Sequence, residues 1–135
     1  PMGHTTNYRD TFIQVSPDSS ARSARVPDKA GSIAELQYRM MSSRPYGLTS
    51  DDVVFGVFAE RNAIPATERE AAREAFFSRG QACLRCSPLV KTFGWGIHCD
   101  GEGRVALVGI DDGRYALLAR SEGVAVVEGM RKSRK

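Results

Sequence analysis

The sequence contains no long hydrophobic run and few of the residues that usually build disulfide or metal frameworks. No window approaches the roughly 18 consecutive apolar residues of a membrane-spanning helix, and residues 4–10 are polar where a signal peptide would have its apolar core. The three cysteines are an odd number, which argues against a closed disulfide framework. We therefore expect a cytoplasmic protein with reduced cysteines and no membrane partner.

Well-known enzyme motifs are missing as well. The chain has no G-x-x-x-x-G-K-[ST] phosphate loop, no G-x-G-x-x-G dinucleotide fingerprint and no H-E-x-x-H zinc motif. The sequence therefore predicts no cofactor, and no enzyme class follows from motifs alone.

The positive charge is concentrated at the C-terminus. The net charge is +3, but Arg131, Lys132, Arg134 and Lys135 outweigh it, so residues 1–130 carry a net charge of −1. A short basic end is typical of a solvated, frayed tail. Nucleic-acid binding through the tail, residues 131–135, is therefore the third of our functional hypotheses, and we do not expect nucleic acid as the main partner.

The first half of the chain predicts one strand, one long loop and two helices. Residues 11–15 are rich in residues that favour strands, and residues 16–31 are rich in Ser, Pro, Asp and Gly, which predicts a mobile loop. Ser32 is placed to cap a helix whose apolar face contains Ile33, Leu36 and Met40. Thr49 or Ser50 begins a second helix, which is apolar nearly all round and should be the central, most buried one.

A third helix is predicted from the residues that would begin and end it. Thr67 and Glu70 match a capping box, and Gly80 is placed to end the helix. Its buried face would contain Ala72, Ala75, Phe76 and the stem of Arg79.

The second half predicts a β-hairpin between two short helices. Ser87 and Pro88 favour a helical turn over residues 88–91, and residues 93–99 and 104–110 form the hairpin. Asp111 or Asp112 caps a last helix, and residues 124–127 fit a strand or a helix. The prediction is a single α+β domain over residues 1–135, in which three or four helices pack on one face of a small antiparallel sheet.

The hairpin begins in the stretch SPLVKTFGWGIHCD, residues 87–100. In a strand, Phe93, Trp95, Ile97 and Cys99 would share the core face, whereas Gly94, Gly96 and His98 would share the other. Two glycines beside a histidine leave a bare shelf. The shelf either packs closely against another segment or forms the floor of a ligand slot, and we favour the close packing.

The cysteines allow two kinds of chemistry, both weakly. Cys83 and Cys86 have the C-x-x-C spacing of a zinc knuckle, and His98 would be a third ligand, but a second ligand pair is missing. Alternatively, Cys83 or Cys86 is a nucleophile with His98 as its base. Buried, unreactive cysteines are the simpler explanation.

Several stretches together resemble a known family. HTTNYRDTFIQVSPD, PYGLTSDDVVFGVFAER and the SPLVKTFGWGIH block are similar to a family of short bacterial and fungal proteins known only as a domain of unknown function. The resemblance covers nearly the whole chain and implies a free-standing domain without assigning an activity. In that family a cysteine is usual at Cys83 but not at Cys86 or Cys99, which weakens the zinc hypothesis.

Our preferred function is a small binding or interaction module. An anionic small ligand would bind near the hairpin at Arg85, Lys91, Trp95 and His98, because Arg79, Arg85 and Lys91 follow one another with no acidic residue between them. The alternative is an enzyme centred on His98 with a cysteine partner, Cys83 foremost, or a metal. The ligand, the oligomeric state and the pathway stay open.

Overall fold

The fold is built on a four-stranded sheet. The computed structural model describes residues 3–133, and its strands are β1 (Thr11–Gln14), β2 (Trp95–Cys99), β3 (Val105–Gly109) and β4 (Ala125–Glu128). Their order is β3–β2–β1–β4, with β2 antiparallel to both β1 and β3, and β4 parallel to β1. The α+β class and the β2–β3 hairpin are confirmed. The parallel strand β4 resolves the ambiguity at residues 124–127 and makes the sheet mixed.

The helices between residues 3 and 133 begin where the capping residues indicate, with one exception. They are α1 (Ile33–Ser43), α2 (Ser50–Arg61), α3 (Arg69–Phe76), α4 (Pro88–Lys91) and α5 (Gly113–Arg120). Ser32, Thr49, Ser87 and Asp112 each accept a hydrogen bond from a first-turn amide of the helix that follows. Thr49 forms a full capping box with Asp52. None of the helices is long and apolar enough to cross a membrane.

The exception is α3, whose predicted capping box is wrong. A 3₁₀ turn over Ala66–Glu68 follows Pro65, so Thr67 lies inside that turn and caps nothing. The helix then ends at Phe76, well before Gly80, and the side chain of Gln81 donates from Nε2 to the Phe76 carbonyl at 2.7 Å. No residue of α3 is fully buried.

The predicted apolar faces are partly wrong too. In α3, Ala75 and Arg79 beyond its end are exposed, whereas Ala72 and Phe76 are half-buried. In α1, Ile33 is 43% exposed, and the buried positions are Ala34, Leu36, Gln37 and Met41.

Helices cover both faces of the sheet rather than one. Ile13, Ile97 and Val105 pack with residues of α1, α2 and α4 in the main core. Side chains alternate along a strand, so Phe12 faces the opposite side, where α5 lies. The ring of Tyr115 in α5 meets Phe12 edge-on at 4.9 Å.

The long loop over residues 16–31 has no helix or strand and lies against the start of the hairpin. The Arg25 amide donates to the Phe93 carbonyl at 2.9 Å, and Trp95 Nε1 donates to the Arg25 carbonyl at 2.7 Å. The loop therefore fixes one end of β2.

Candidate functional site

Two of the predicted site residues, Arg85 and Lys91, lie in one open groove of about 670 Å³. The groove also contains Arg131 and Lys132 from the C-terminal segment. We call it the cationic groove; it is lined by Pro17, Arg85, Cys86, Lys91, Glu128, Gly129, Met130, Arg131, Lys132 and Ser133.

Arg85 and Lys91 are held in place by short helical turns that are anchored in the core. Arg85 lies in the 3₁₀ turn Leu84–Cys86, and Lys91 is the last residue of α4. The neighbouring Leu84, Leu89 and Val90 are almost completely buried. Because these buried neighbours fix the backbone, the two half-buried cations project from fixed points.

The C-terminal segment reaches the groove because its backbone continues the pairing of β4. The Gly129 amide donates to the Gln14 carbonyl at 2.8 Å, and the Met130 amide donates to the Arg85 carbonyl at 2.8 Å. The Ser16 hydroxyl donates to the Met130 carbonyl at 2.5 Å. A side chain at residue 129 would collide with Val90, so glycine is required for this close approach.

Asp18 holds the segment further along. Its carboxylate accepts hydrogen bonds from the backbone amides of Lys132 at 3.0 Å and Ser133 at 3.1 Å. The Lys132 amide is the main reason that the pKa of Asp18 lies below its ordinary value. Residues 131–133 thus bind to the fold, in contrast to the frayed tail that the charge pattern predicts; Arg134 and Lys135 lie outside the described residues.

The cationic groove carries excess positive charge. Within residues 3–133 the ion pairs are Glu35–Arg39, Asp52–Arg73 and Glu102–Arg104, so none involves the four cations of the groove. Arg85 donates from Nε to the carbonyl of Glu128 at 2.7 Å, a bond to the backbone that leaves its charge unpaired. Among the residues that the structure describes, Glu128 is the one acidic member of the lining.

The other two predicted ligand-binding residues lie elsewhere. Trp95 faces the helices and packs against Tyr38 at 5.5 Å between ring centroids. His98 is on the opposite face of the sheet, beside α5. Neither lines the cationic groove, so the structure does not bring the four predicted residues together.

His98 instead meets a tyrosine and an arginine. Its Nδ1 lies 2.8 Å from the Tyr46 hydroxyl, and Arg114 of α5 donates to the same oxygen. The Tyr46 proton is therefore available to Nδ1, which favours neutral His98 with its proton on Nε2. Burial lowers the pKa of His98, and the charge of Arg114 lowers it further.

The glycine shelf is filled by other parts of the chain. A methyl group on Gly96 would lie 2.9 Å from both the Phe12 and the Tyr115 rings. Gly94 has φ +81° and approaches the Ser23 carbonyl of the long loop. Close packing, the explanation that we favoured, is confirmed, and the shelf is not the floor of a ligand slot.

The cysteines do not converge on His98. Cys83 Sγ contacts the Tyr8 hydroxyl at 3.4 Å, and Cys99 is buried on the core side of the sheet, where desolvation raises its pKa to about 12. Between residues 3 and 133, no three His, Cys, Asp or Glu side chains are grouped to hold a metal ion, and that includes Cys83, Cys86 and His98.

Sequence reasoning missed the docking of Lys132 and Ser133 onto Asp18, and the Tyr46–Arg114 pair at His98. The contacts of Lys132 and Ser133 with Asp18 join residues more than 110 positions apart. Gly129, which is separated from the last apolar run only by Glu128, was the one local signal that the chain approaches the core there.

Comparison with known proteins assigns the chain to a family without adding a function. A family model described as a family of unknown function (DUF6157) matches residues 3–135. Neither the curated proteins nor the solved structures contain a match to this chain. The match extends over nearly all of the sequence and confirms the predicted resemblance to a domain of unknown function. The chain therefore belongs to the DUF6157 family.

Proposed function

We propose that this protein is a small binding module that holds an anionic ligand in the cationic groove. The observation that carries the proposal is the docking of Met130 on Arg85. It brings Arg131 and Lys132 beside Arg85 and Lys91, which are about 40 positions earlier in the chain. Four cations in one concave site, with one carboxylate among the lining residues, form a concentrated positive field that favours an anion.

The chemistry of the side chains suits a phosphate or carboxylate group. An arginine presents a planar fork that can bind two oxygens of such a group at once, and a lysine supplies a compact charge. The groove volume of about 670 Å³ falls within the range of about 300–1,000 Å³ that is usual for small-molecule sites. A small anion with one or two phosphate or carboxylate groups is therefore the proposed ligand class.

The same account favours the cytoplasm as the location. All three cysteines are free, and Cys83 and Cys86 are only half-buried. Partly exposed free thiols fit a reducing compartment better than an oxidising one.

A panel of anions tests the proposal directly. Thermal melting is recorded with chloride, phosphate, pyrophosphate and citrate at matched ionic strength. We expect chloride to have the least effect and pyrophosphate and citrate to raise the melting temperature most, because a multivalent anion can contact several cations at once. Equal shifts for all four anions would indicate general ionic effects and contradict a built site.

Nucleic acid is the competing anionic partner. Binding to a DNA duplex through the four cations would weaken steeply with salt, by about 0.9 log unit per log unit of salt for each phosphate contact. We expect a short duplex to bind more weakly than pyrophosphate at physiological salt. A duplex that binds more tightly would replace the small ligand in this account.

A further inference from the structure

The cationic groove adjoins an apolar one, and Cys86 lines both. The second groove has a volume of about 320 Å³ and lies between α1, α2 and the turn at residues 81–88. We call it the apolar groove; its lining includes Ile33, Val54, Phe58, Phe76, Cys83 and Cys86.

Two large apolar side chains are exposed at the apolar groove. Ile33 is 43% exposed and Phe58 is 38% exposed, although most other apolar residues of α1 and α2 are buried or half-buried. Phe58 stacks on Phe76 with ring centroids 4.7 Å apart, which keeps both rings in place beside the groove. The groove is thus a fixed apolar surface that a ligand could cover.

The apolar groove continues beyond the aromatic pair. Phe58, Phe76 and Gln81 also line a further hollow of about 620 Å³, which includes Ile64 and Ala72. The apolar groove therefore shares Phe58 and Phe76 with one neighbouring hollow, and it shares Cys86 with the groove that the four cations line.

We propose that the ligand is a single-chain anionic amphiphile whose charged head binds the cationic groove and whose hydrocarbon tail lies in the apolar groove. This inference rests on the proposed function, because the cations supply the site for the head group. A head group of phosphate or carboxylate satisfies the positive charge, and an aliphatic tail covers Ile33 and Phe58. The two buried polar side chains of the lining are already paired, because the Ser87 hydroxyl donates to Gln37 Oε1 at 2.5 Å. Cys86 then lies at the junction of head and tail.

The test is a titration series of inorganic phosphate and butyl, hexyl and octyl phosphate by calorimetry, each below its micelle-forming concentration. We expect one site per chain and a Kd that falls by up to roughly fourfold for each methylene that becomes buried. Octyl glucoside, which has the same tail and no charge, should bind far more weakly than octyl phosphate.

Variants locate the tail. Ile33→Glu places a carboxylate in the apolar groove and suits the first turn of α1, where the helix dipole favours negative charge. It should remove the gain with chain length and leave the affinity for inorganic phosphate unchanged. Phe58→Ser is a second variant with the same expectation. Val26→Glu, an exposed apolar residue outside both grooves, is the matched control and should change neither quantity.

Thiol protection gives an independent readout. Cys83 lines the apolar groove and not the cationic one, so octyl phosphate should slow its alkylation while inorganic phosphate leaves the rate unchanged.

The outcomes separate this inference from the proposed function. If inorganic phosphate binds and longer tails add nothing, the amphiphile is wrong and the anion site stands. If neither phosphate nor octyl phosphate binds, both proposals fail. Equal binding of octyl glucoside, or binding seen only with phosphatidate vesicles, would overturn a free anionic amphiphile as the ligand.

Discussion

The backbone amide of Met130 donates a hydrogen bond of 2.8 Å to the carbonyl of Arg85, and this contact joins the C-terminal segment to the turn that precedes α4. The segment is therefore part of the fold as far as Ser133, whose amide donates to the Asp18 carboxylate. The cationic groove depends on this arrangement, since two of its four cations come from each side of the contact.

The attachment of the C-terminal segment should depend on pH through Asp18. Backbone hydrogen bonds lower the folded-state pKa of this carboxyl, so its stabilising contribution is present above the unfolded pKa of about 3.9 and is lost as the pH falls through the folded value. In an NMR titration, the amide signals of Lys132 and Ser133 should shift with a midpoint below that of an ordinary aspartate.

Asp18→Asn is the control for that titration, because it keeps an acceptor oxygen and removes the ionisation. The midpoint should disappear in this variant, and amide exchange at residues 131–133 should be faster. A wild-type midpoint at or above the ordinary aspartate value would contradict the hydrogen bonds that hold the C-terminal segment.

Gly96→Ala should destabilise the protein by about 1–3 kcal/mol, the usual effect of overpacking a core. The added methyl group would lie 2.9 Å from the rings of Phe12 and Tyr115 and 3.0 Å from the Ile13 carbonyl. Urea unfolding measures the change. Gly113→Ala, at the open start of α5 with no atom near the new methyl group, should be neutral or slightly stabilising. Equal effects of the two substitutions would indicate that the shelf is not packed as described.

The two candidate capping threonines should behave differently. Thr49→Ala removes the side-chain acceptor for the Asp52 amide and should cost about 0.5–2 kcal/mol of the free energy of unfolding. Thr67→Ala removes an exposed side chain that caps nothing, and should change the free energy of unfolding by less than about 0.5 kcal/mol. The comparison is made by urea unfolding, and a large effect at Thr67 would restore the capping box there.

The comparison of Thr49 with Thr67 shows how far the sequence was informative. Local chemistry was sufficient for Ser32, Thr49, Ser87 and Asp112, because each cap satisfies amides within three residues. It failed at Thr67, where Pro65 starts a 3₁₀ turn that takes up the capping residue.

The cationic groove was only half predictable. Arg85 and Lys91 are close in sequence and carry no acidic residue between them, so local charge pointed to them. Arg131 and Lys132 reach them through backbone contacts between distant segments, which no local pattern encodes. Trp95 and His98 were assigned to the same site by closeness in sequence, although alternation along β2 places them on opposite faces.

The three cysteines should differ in reactivity toward iodoacetamide. Cys83 and Cys86 are half-buried and should be alkylated in the native protein, whereas Cys99 is buried, with a pKa raised to about 12, and should react only after unfolding. Peptide mass spectrometry resolves the three sites. Native alkylation of Cys99 would contradict its burial, and an unusually fast reaction at Cys83 would favour the enzyme hypothesis over a simple binding module.

The most direct test of the central claim is a calorimetric titration of pyrophosphate into the wild type and into Lys91→Ala/Lys132→Ala. This double variant keeps the Arg85–Glu128 bond and the backbone contacts of the C-terminal segment. The matched variant Arg22→Ala/Arg120→Ala removes two exposed cations outside the groove. Because a hydrogen bond to a charged group contributes about 1.5–3 kcal/mol, we expect the groove variant to lose at least about tenfold in affinity and the matched variant to bind like the wild type. Equal affinity of the two variants, or no binding by the wild type, would contradict an anion site in the cationic groove.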